Sequence, residues 1–113
     1  MTLVDYAFSF SAPPTSQTRV IRVENGANQA HEIALFRFLP GKGMDDVAAW
    51  AESYEGPAPV TAVGGVPGIH PGQVAAMHVD LAPGEYVALC FVPDATDGIP
   101  HLVHGMALPF RVS

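Results

Sequence analysis

The segment LCFVPDATDGIPHLVHGMALPF, residues 89–110, contains several side chains of types that can bind metals. It contains the only cysteine, Cys90, together with His101, His104 and Met106. Turn-forming Pro, Asp and Gly residues lie between two apolar runs, as in a loop that joins two strands. A thiolate, an imidazole and a thioether are the soft and borderline ligands that favour copper. The segment therefore predicts a copper-binding loop.

A site for copper electron transfer needs a fourth ligand, because such sites use one Cys and two His with a weak axial Met. The loop supplies three of these, so a neighbouring strand must supply the other imidazole. The segment HEIALFRFL, residues 31–39, is apolar on both faces and is typical of a central strand. His31 shares a face with Ile33 and Leu35, and we expect it to point inward as the fourth ligand.

Composition predicts a single all-β domain over residues 1–113. The chain has 113 residues, of which 49% are hydrophobic and 14% charged, with 11 Gly and 11 Pro spread along it. Such frequent turn residues indicate many short strands. The net charge of −6 argues against nucleic acid and anionic membranes as partners. No apolar run is long enough to span a membrane, and a lone cysteine cannot form an internal disulfide.

Periodicity predicts about seven strands and one helix, a Greek-key β-sandwich. Residues 2–10, TLVDYAFSF, alternate as one strand with Val4, Tyr6, Phe8 and Phe10 on one face. Residues 43–54, GMDDVAAWAESY, have helical spacing. Residues 56–72, rich in Gly and Pro, are predicted to be a long loop.

The order of these ligands resembles that of the cupredoxins, the blue-copper β-sandwich family that includes plastocyanin and the type 1 copper domain of nitrite reductases. The stretch PHLVHGM, residues 100–106, is similar to the family pattern PHxxxGM, with His101 and Met106 at the usual separation. One departure is the loop between Cys90 and His101, which is longer than in plastocyanin-like proteins. His104 is therefore an alternative ligand or a neighbour of the metal site.

The resemblance implies one type 1 copper ion held by His31, Cys90, His101 and Met106, and a role in one-electron transfer. It further implies a monomer that is not an enzyme and that meets a redox partner protein in the periplasm or outside the cell, although no leader is visible in residues 1–10. His101, on an exposed loop, is expected to be the electron port, with Ile99 and Leu102 as a docking patch.

Other functions fit parts of the same pattern. The ligands could carry or sense copper, or the fold could serve as a metal-free accessory module. A Cys-His hydrolase is disfavoured because no orienting third group accompanies Cys90. Taken singly, a buried Cys, an inward His and a core Met are ordinary packing residues; it is their combination in this order that predicts copper.

Overall fold

The computed structural model describes all 113 residues and contains two four-stranded sheets that enclose an apolar core. The strands are β1 (Thr2–Val4), β2 (Ala7–Ser9), β3 (Val20–Asn25), β4 (His31–Phe38), β5 (Val60–Ile69), β6 (Val74–His78), β7 (Gly84–Leu89) and β8 (Ala107–Val112), and the helix is α1 (Met44–Trp50). The first sheet has the order β2-β1-β3-β6 and the second β5-β4-β7-β8. The predicted all-β sandwich with one short helix is confirmed, with eight strands.

The N-terminal segment is a hairpin, so the prediction of one strand over residues 2–10 was wrong. β1 and β2 pair antiparallel, with Leu3 opposite Phe8 and Val4 opposite Ala7. Leu3 and Phe8 are buried, whereas Val4 is 40% exposed. The reversal at residues 5 and 6 contains no Gly or Pro, so the alternation of apolar residues runs through it without a turn signal.

The predicted loop over residues 56–72 was also wrong in part, because it contains β5, which pairs with β4 along the edge of the second sheet. Most of the side chains of β5 are exposed, which removes the alternation that usually identifies a strand. Pro67 is tolerated because an edge strand needs fewer backbone donors. Gly65 lies against β4, where an added Cβ would stand 2.7 Å from the carbonyl oxygen of Ile33.

The second sheet is buried on both faces at β7, which explains the continuous apolar run there. Tyr86 and Ala88 face the core between the sheets, together with Cys90 just beyond the strand. Val87 and Leu89 face the other way and pack with Val47 of α1 and other residues of a second, smaller cluster. Cys90 is thus held at the end of a strand that is packed on both sides. The single helix, α1, lacks the length and hydrophobicity needed to cross a membrane.

Candidate metal centre

The long loop after Cys90 folds back on itself before it reaches His101. Pro93 and Pro100 form an isolated bridge, and the backbone N–H of Asp94 donates to the oxygen of Ile99 at 2.8 Å. The extra residues therefore form a closed turn at 94–99. This turn absorbs the additional length, and the N–H of His101 then donates to the oxygen of Val92 at 2.9 Å.

Three donor atoms converge beneath this loop. The Nδ1 atoms of His31 and His101 lie 2.9 Å apart. The Sγ atom of Cys90 lies 3.9 Å from the first and 3.5 Å from the second. All three residues have zero exposure, and the inward orientation predicted for His31 is confirmed. The structure thus brings together residues that are 59 and 11 positions from Cys90 in sequence.

The outer nitrogens of both imidazoles face oxygen acceptors. His31 Nε2 lies 2.6 Å from Asp5 Oδ1 in the turn of the N-terminal hairpin. His101 Nε2 lies 3.1 Å from Gln29 Oε1 and 3.2 Å from Asp94 Oδ1. Since these oxygens accept, each Nε2 must carry the proton and donate.

The orientation of the Gln29 amide follows from its other bonds. Its Nε2 donates to Asp94 Oδ1 at 2.9 Å, and its Oε1 accepts the N–H of Ala95 at 2.8 Å. The reversed amide would oppose both contacts, so the atom that faces His101 is an acceptor.

Because each Nε2 carries the ring proton, the Nδ1 atoms of His31 and His101 both have lone pairs, and these lone pairs point at each other. Two acceptors at 2.9 Å repel unless a proton or a metal cation lies between them. Burial lowers the pKa of His101, and a charge on His31 would lower it further. A neutral imidazole is the form that binds metals. This cluster is therefore arranged for a cation with nitrogen ligands.

Cys90 is held by the chain that carries His31. The N–H of Glu32 donates to Cys90 Sγ at 3.4 Å, and the Glu32 carboxylate accepts the N–H of Phe91 at 3.1 Å. Burial raises the pKa of the Cys90 thiol, so in the absence of metal the thiol keeps its proton. Metal binding displaces that proton, because the thiolate is the ligand form.

Met106 is fully buried next to these residues. Its N–H donates to the oxygen of His101 at 3.0 Å, and its own oxygen accepts the N–H of Cys90 at 3.4 Å. These backbone bonds place Met106 beside two of the three converging residues. Its side chain belongs to the core cluster that contains Cys90.

His104 lies outside the buried cluster. Its ring stacks on Tyr6 with centroids 4.8 Å apart, and its side chain is 27% exposed. Its Nε2 is 2.9 Å from Asp97 Oδ2, at an angle that does not suit a hydrogen bond. His104 also forms a looser group with Asp94 and Asp97.

The expectation that His101 is exposed was wrong. Its ring has no contact with solvent, and Tyr6 packs on it with ring centroids 5.6 Å apart. Leu102 is also buried, in the cluster beside α1, so it cannot form the exposed docking patch that was predicted with Ile99. The N-terminal hairpin covers the place where an exposed imidazole edge was expected.

Sequence reasoning missed the residues that hold the imidazoles. Asp5, Gln29 and Asp94 come from three separate segments, and Tyr6 donates its hydroxyl to Asp94 at 2.8 Å. Asp94 was interpreted as a simple turn residue. Only the pairing of the hairpin with the ligand loop brings these side chains to the site, and no local signal in the sequence indicates that pairing.

The donor set distinguishes between classes of metal ion. Two imidazole nitrogens and one thiol sulfur on fully buried side chains, with a thioether residue beside them, fit a single type 1 copper ion. Hard cations such as Mg²⁺ and Ca²⁺ require oxygen ligands, and no carboxylate belongs to this buried group.

No family model matches the chain, and no curated protein sequence is significantly similar to it. Solved structures are similar in fold. Reduced auracyanin from the photosynthetic bacterium Roseiflexus castenholzii is 24% identical, with a TM-score of 0.57 over 96% of this chain and 84% of that one. Auracyanin A, a blue copper protein from the green thermophilic photosynthetic bacterium Chloroflexus aurantiacus, is 19% identical, with a TM-score of 0.56 over 100% of this chain and 98% of that one. The chain has the cupredoxin fold.

Proposed function

We propose that this protein binds one copper ion through His31, Cys90, His101 and Met106 and transfers single electrons. The observation that carries the proposal is the pair of buried imidazole nitrogens that face each other at 2.9 Å beside a thiol. Copper in such a site supplies a one-electron couple. Auracyanin A, similar in fold, is a blue copper protein.

The role of the protein is to hold the donors in one arrangement in both oxidation states. His31 begins a central strand, and Cys90 follows a strand that is packed on both faces. His101 is fixed by backbone bonds to Val92 and to Met106. A donor set held this firmly leaves no open position for a substrate, which supports a carrier of electrons over an enzyme.

Copper carriage is a weaker second candidate. A protein that delivers copper needs ligands that its acceptor can reach, whereas His31, Cys90 and His101 have no solvent exposure. The hairpin turn that covers them favours retention of the ion. A metal-free accessory module leaves the two facing imidazoles unexplained.

The setting follows from the resemblance to cupredoxins. We place the protein in the periplasm or outside the cell, as a monomer that meets a protein redox partner. The net charge of −6 suits a basic partner.

Titration of the purified protein with Cu(II) tests the proposal. We expect an intense visible thiolate charge-transfer band that saturates at a single equivalent, and a reversible one-electron wave in voltammetry. Cys90→Ser should abolish the band completely and leave the fold intact, because the two side chains are nearly the same size. A colourless protein whose thiol still reacts fully with a thiol reagent after copper addition contradicts the proposal. Rapid loss of the ion to a moderate Cu(I) chelator, without a reversible wave, would instead support copper carriage.

A further inference from the structure

The turn of the N-terminal hairpin contributes a charged side chain to the metal centre. Asp5 lies between β1 and β2, and its carboxylate accepts a hydrogen bond from His31 Nε2 at 2.6 Å. The imidazole is fully buried, while the side chain of Asp5 is 38% exposed. The strands of the hairpin pair through their backbone, and the hydrogen bond of this carboxylate goes to His31. Its position is explained by the imidazole that it contacts.

The other imidazole has a matching arrangement. Asp94 Oδ1 lies 3.2 Å from His101 Nε2, and the side chain of Asp94 is 1% exposed. Asp94 accepts hydrogen bonds from Gln29 Nε2, the Tyr6 hydroxyl and the N–H of Thr96, which is the pattern of a charged carboxylate. Each imidazole therefore has a carboxylate close to its outer nitrogen, although the hydrogen bond of His101 Nε2 goes to Gln29 Oε1 and not to Asp94.

A carboxylate at the outer nitrogen has two effects on a metal-binding imidazole. It fixes the proton on Nε2, which leaves the Nδ1 lone pair free for the metal, and it raises the basicity of that lone pair. Its negative charge also stabilises the more highly charged state of a bound ion, and more strongly in a buried site.

We propose that Asp5 is a positioning residue that acts through His31 and fixes this imidazole as an Nε2–H donor, and that the charges of Asp5 and Asp94 favour Cu(II) over Cu(I). The part that concerns copper rests on the proposed function. The part that concerns the imidazole protons does not.

The variants Asp5→Asn and Asp5→Ala separate the two effects. Asparagine keeps an oxygen acceptor for Nε2–H and removes the charge, whereas alanine removes both. Asp5 is the better target because Asp94 also holds the turn at 94–99 and its replacement could disturb the fold. Asp80→Asn is the matched control, since Asp80 is an exposed aspartate that contacts neither imidazole.

Nitrogen-15 NMR of the metal-free protein reads the first effect. We expect the wild type and Asp5→Asn to carry the His31 proton on Nε2, and Asp5→Ala to lose that preference. A His31 ring with its proton only on Nδ1, or a preference unchanged in Asp5→Ala, would overturn the proposal.

Voltammetry of the copper-loaded protein reads the second effect. Asp5→Asn should weaken Cu(II) binding about tenfold relative to Cu(I), a rise of about 59 mV in midpoint potential for a one-electron couple, with the visible band retained. Asp80→Asn should shift the potential far less. Equal shifts in the two variants, or no shift in Asp5→Asn, would overturn the proposal. A wild type without a visible band would refute the proposed function, and the NMR result would still decide whether Asp5 sets the proton position.

Discussion

Two groups of side chains at the same end of the sandwich have the spacing of a metal site, and they differ in what their atoms already bind. His31, Cys90 and His101 form the first group, and all three are buried. Asp94, Asp97 and His104 form the second group, in which only Asp94 is buried. The two groups adjoin, because Asp94 Oδ1 lies 3.2 Å from His101 Nε2.

The difference lies in the lone pairs that face inward. In the first group, both imidazoles donate their Nε2–H protons to oxygens outside the group. Among the converging atoms, the two Nδ1 atoms and Cys90 Sγ, only the thiol can then donate a hydrogen bond. In the second group, Asp94 already accepts from Tyr6, Gln29 and Thr96, and Asp97 accepts from Ile99. Of the buried polar atoms there, only His104 Nε2 lacks a hydrogen-bond partner. Buried ligand atoms that converge without hydrogen-bond partners indicate a metal site. Carboxylates that converge but already accept hydrogen bonds indicate a structural network.

The two histidines of the loop allow the strongest test of this comparison. His101→Ala should abolish or grossly alter the visible copper band, because it removes one of the three converging donors. His104→Ala should leave the band nearly unchanged. Absorption spectra at equal copper loading provide the measurement. A band lost in His104→Ala and kept in His101→Ala would assign the metal to the other histidine while leaving a copper site in place.

A second test asks whether the first group extends to Met106. Met106 and Met77 are both fully buried in the same core cluster, and only Met106 adjoins Cys90 and His101 through its backbone. Met→Leu is close to volume-conserving, so either change should cost less than about 1.5 kcal/mol of stability. Met106→Leu should also raise the midpoint potential, because loss of a weak donor destabilises the higher oxidation state. Met77→Leu should leave the potential unchanged. Equal behaviour of the two variants in voltammetry would show that Met106 only packs.

A third test concerns acid stability of the metal-free protein, where the expected effect is smallest. The pKa of Asp94 is lowered in the folded state, chiefly by the Gln29 hydrogen bond. A lowered pKa contributes stability above the unfolded value of about 3.9 and loses it as the pH falls further. Asp94→Asn should therefore be less stable than the wild type at about pH 7, and the gap should narrow at about pH 3.

Asp97→Asn is the control for this test, because an amide oxygen can still accept the N–H of Ile99. It should show little change at either pH. Urea unfolding curves measure both variants. A gap between wild type and Asp94→Asn that is the same at both pH values would contradict the assignment of that stability to the carboxylate.

The sequence was informative where burial follows a simple period. The two-residue period of a strand correctly placed His31 on the same inward face as Ile33 and Leu35, and the apolar run before Cys90 correctly indicated a strand. The periodicity of apolar residues gave wrong predictions at one edge of each sheet. β5 is an exposed edge strand without alternation, and the reversal at Asp5 and Tyr6 contains neither Gly nor Pro.

The surroundings of the metal centre could not be predicted for a different reason. Asp5, Gln29 and Asp94 have no periodic or motif signal, and they reach the imidazoles only after the hairpin packs on the loop at 94–99. The burial of His101 follows from the same packing, which is why the sequence led to an exposed imidazole instead.

The long-range bonds of Asp94 have a consequence for the order of folding. This carboxylate joins Tyr6, 88 residues away, and Gln29, 65 residues away. Contacts of such separation cost the most loop-closure entropy and form late. During synthesis, His31 emerges long before Cys90 and His101, so it cannot contact them until the later part of the chain has been made. The imidazoles therefore reach their final orientation only when the N-terminal hairpin and the loop after Cys90 are both in place, so an unfinished chain offers copper no completed pocket.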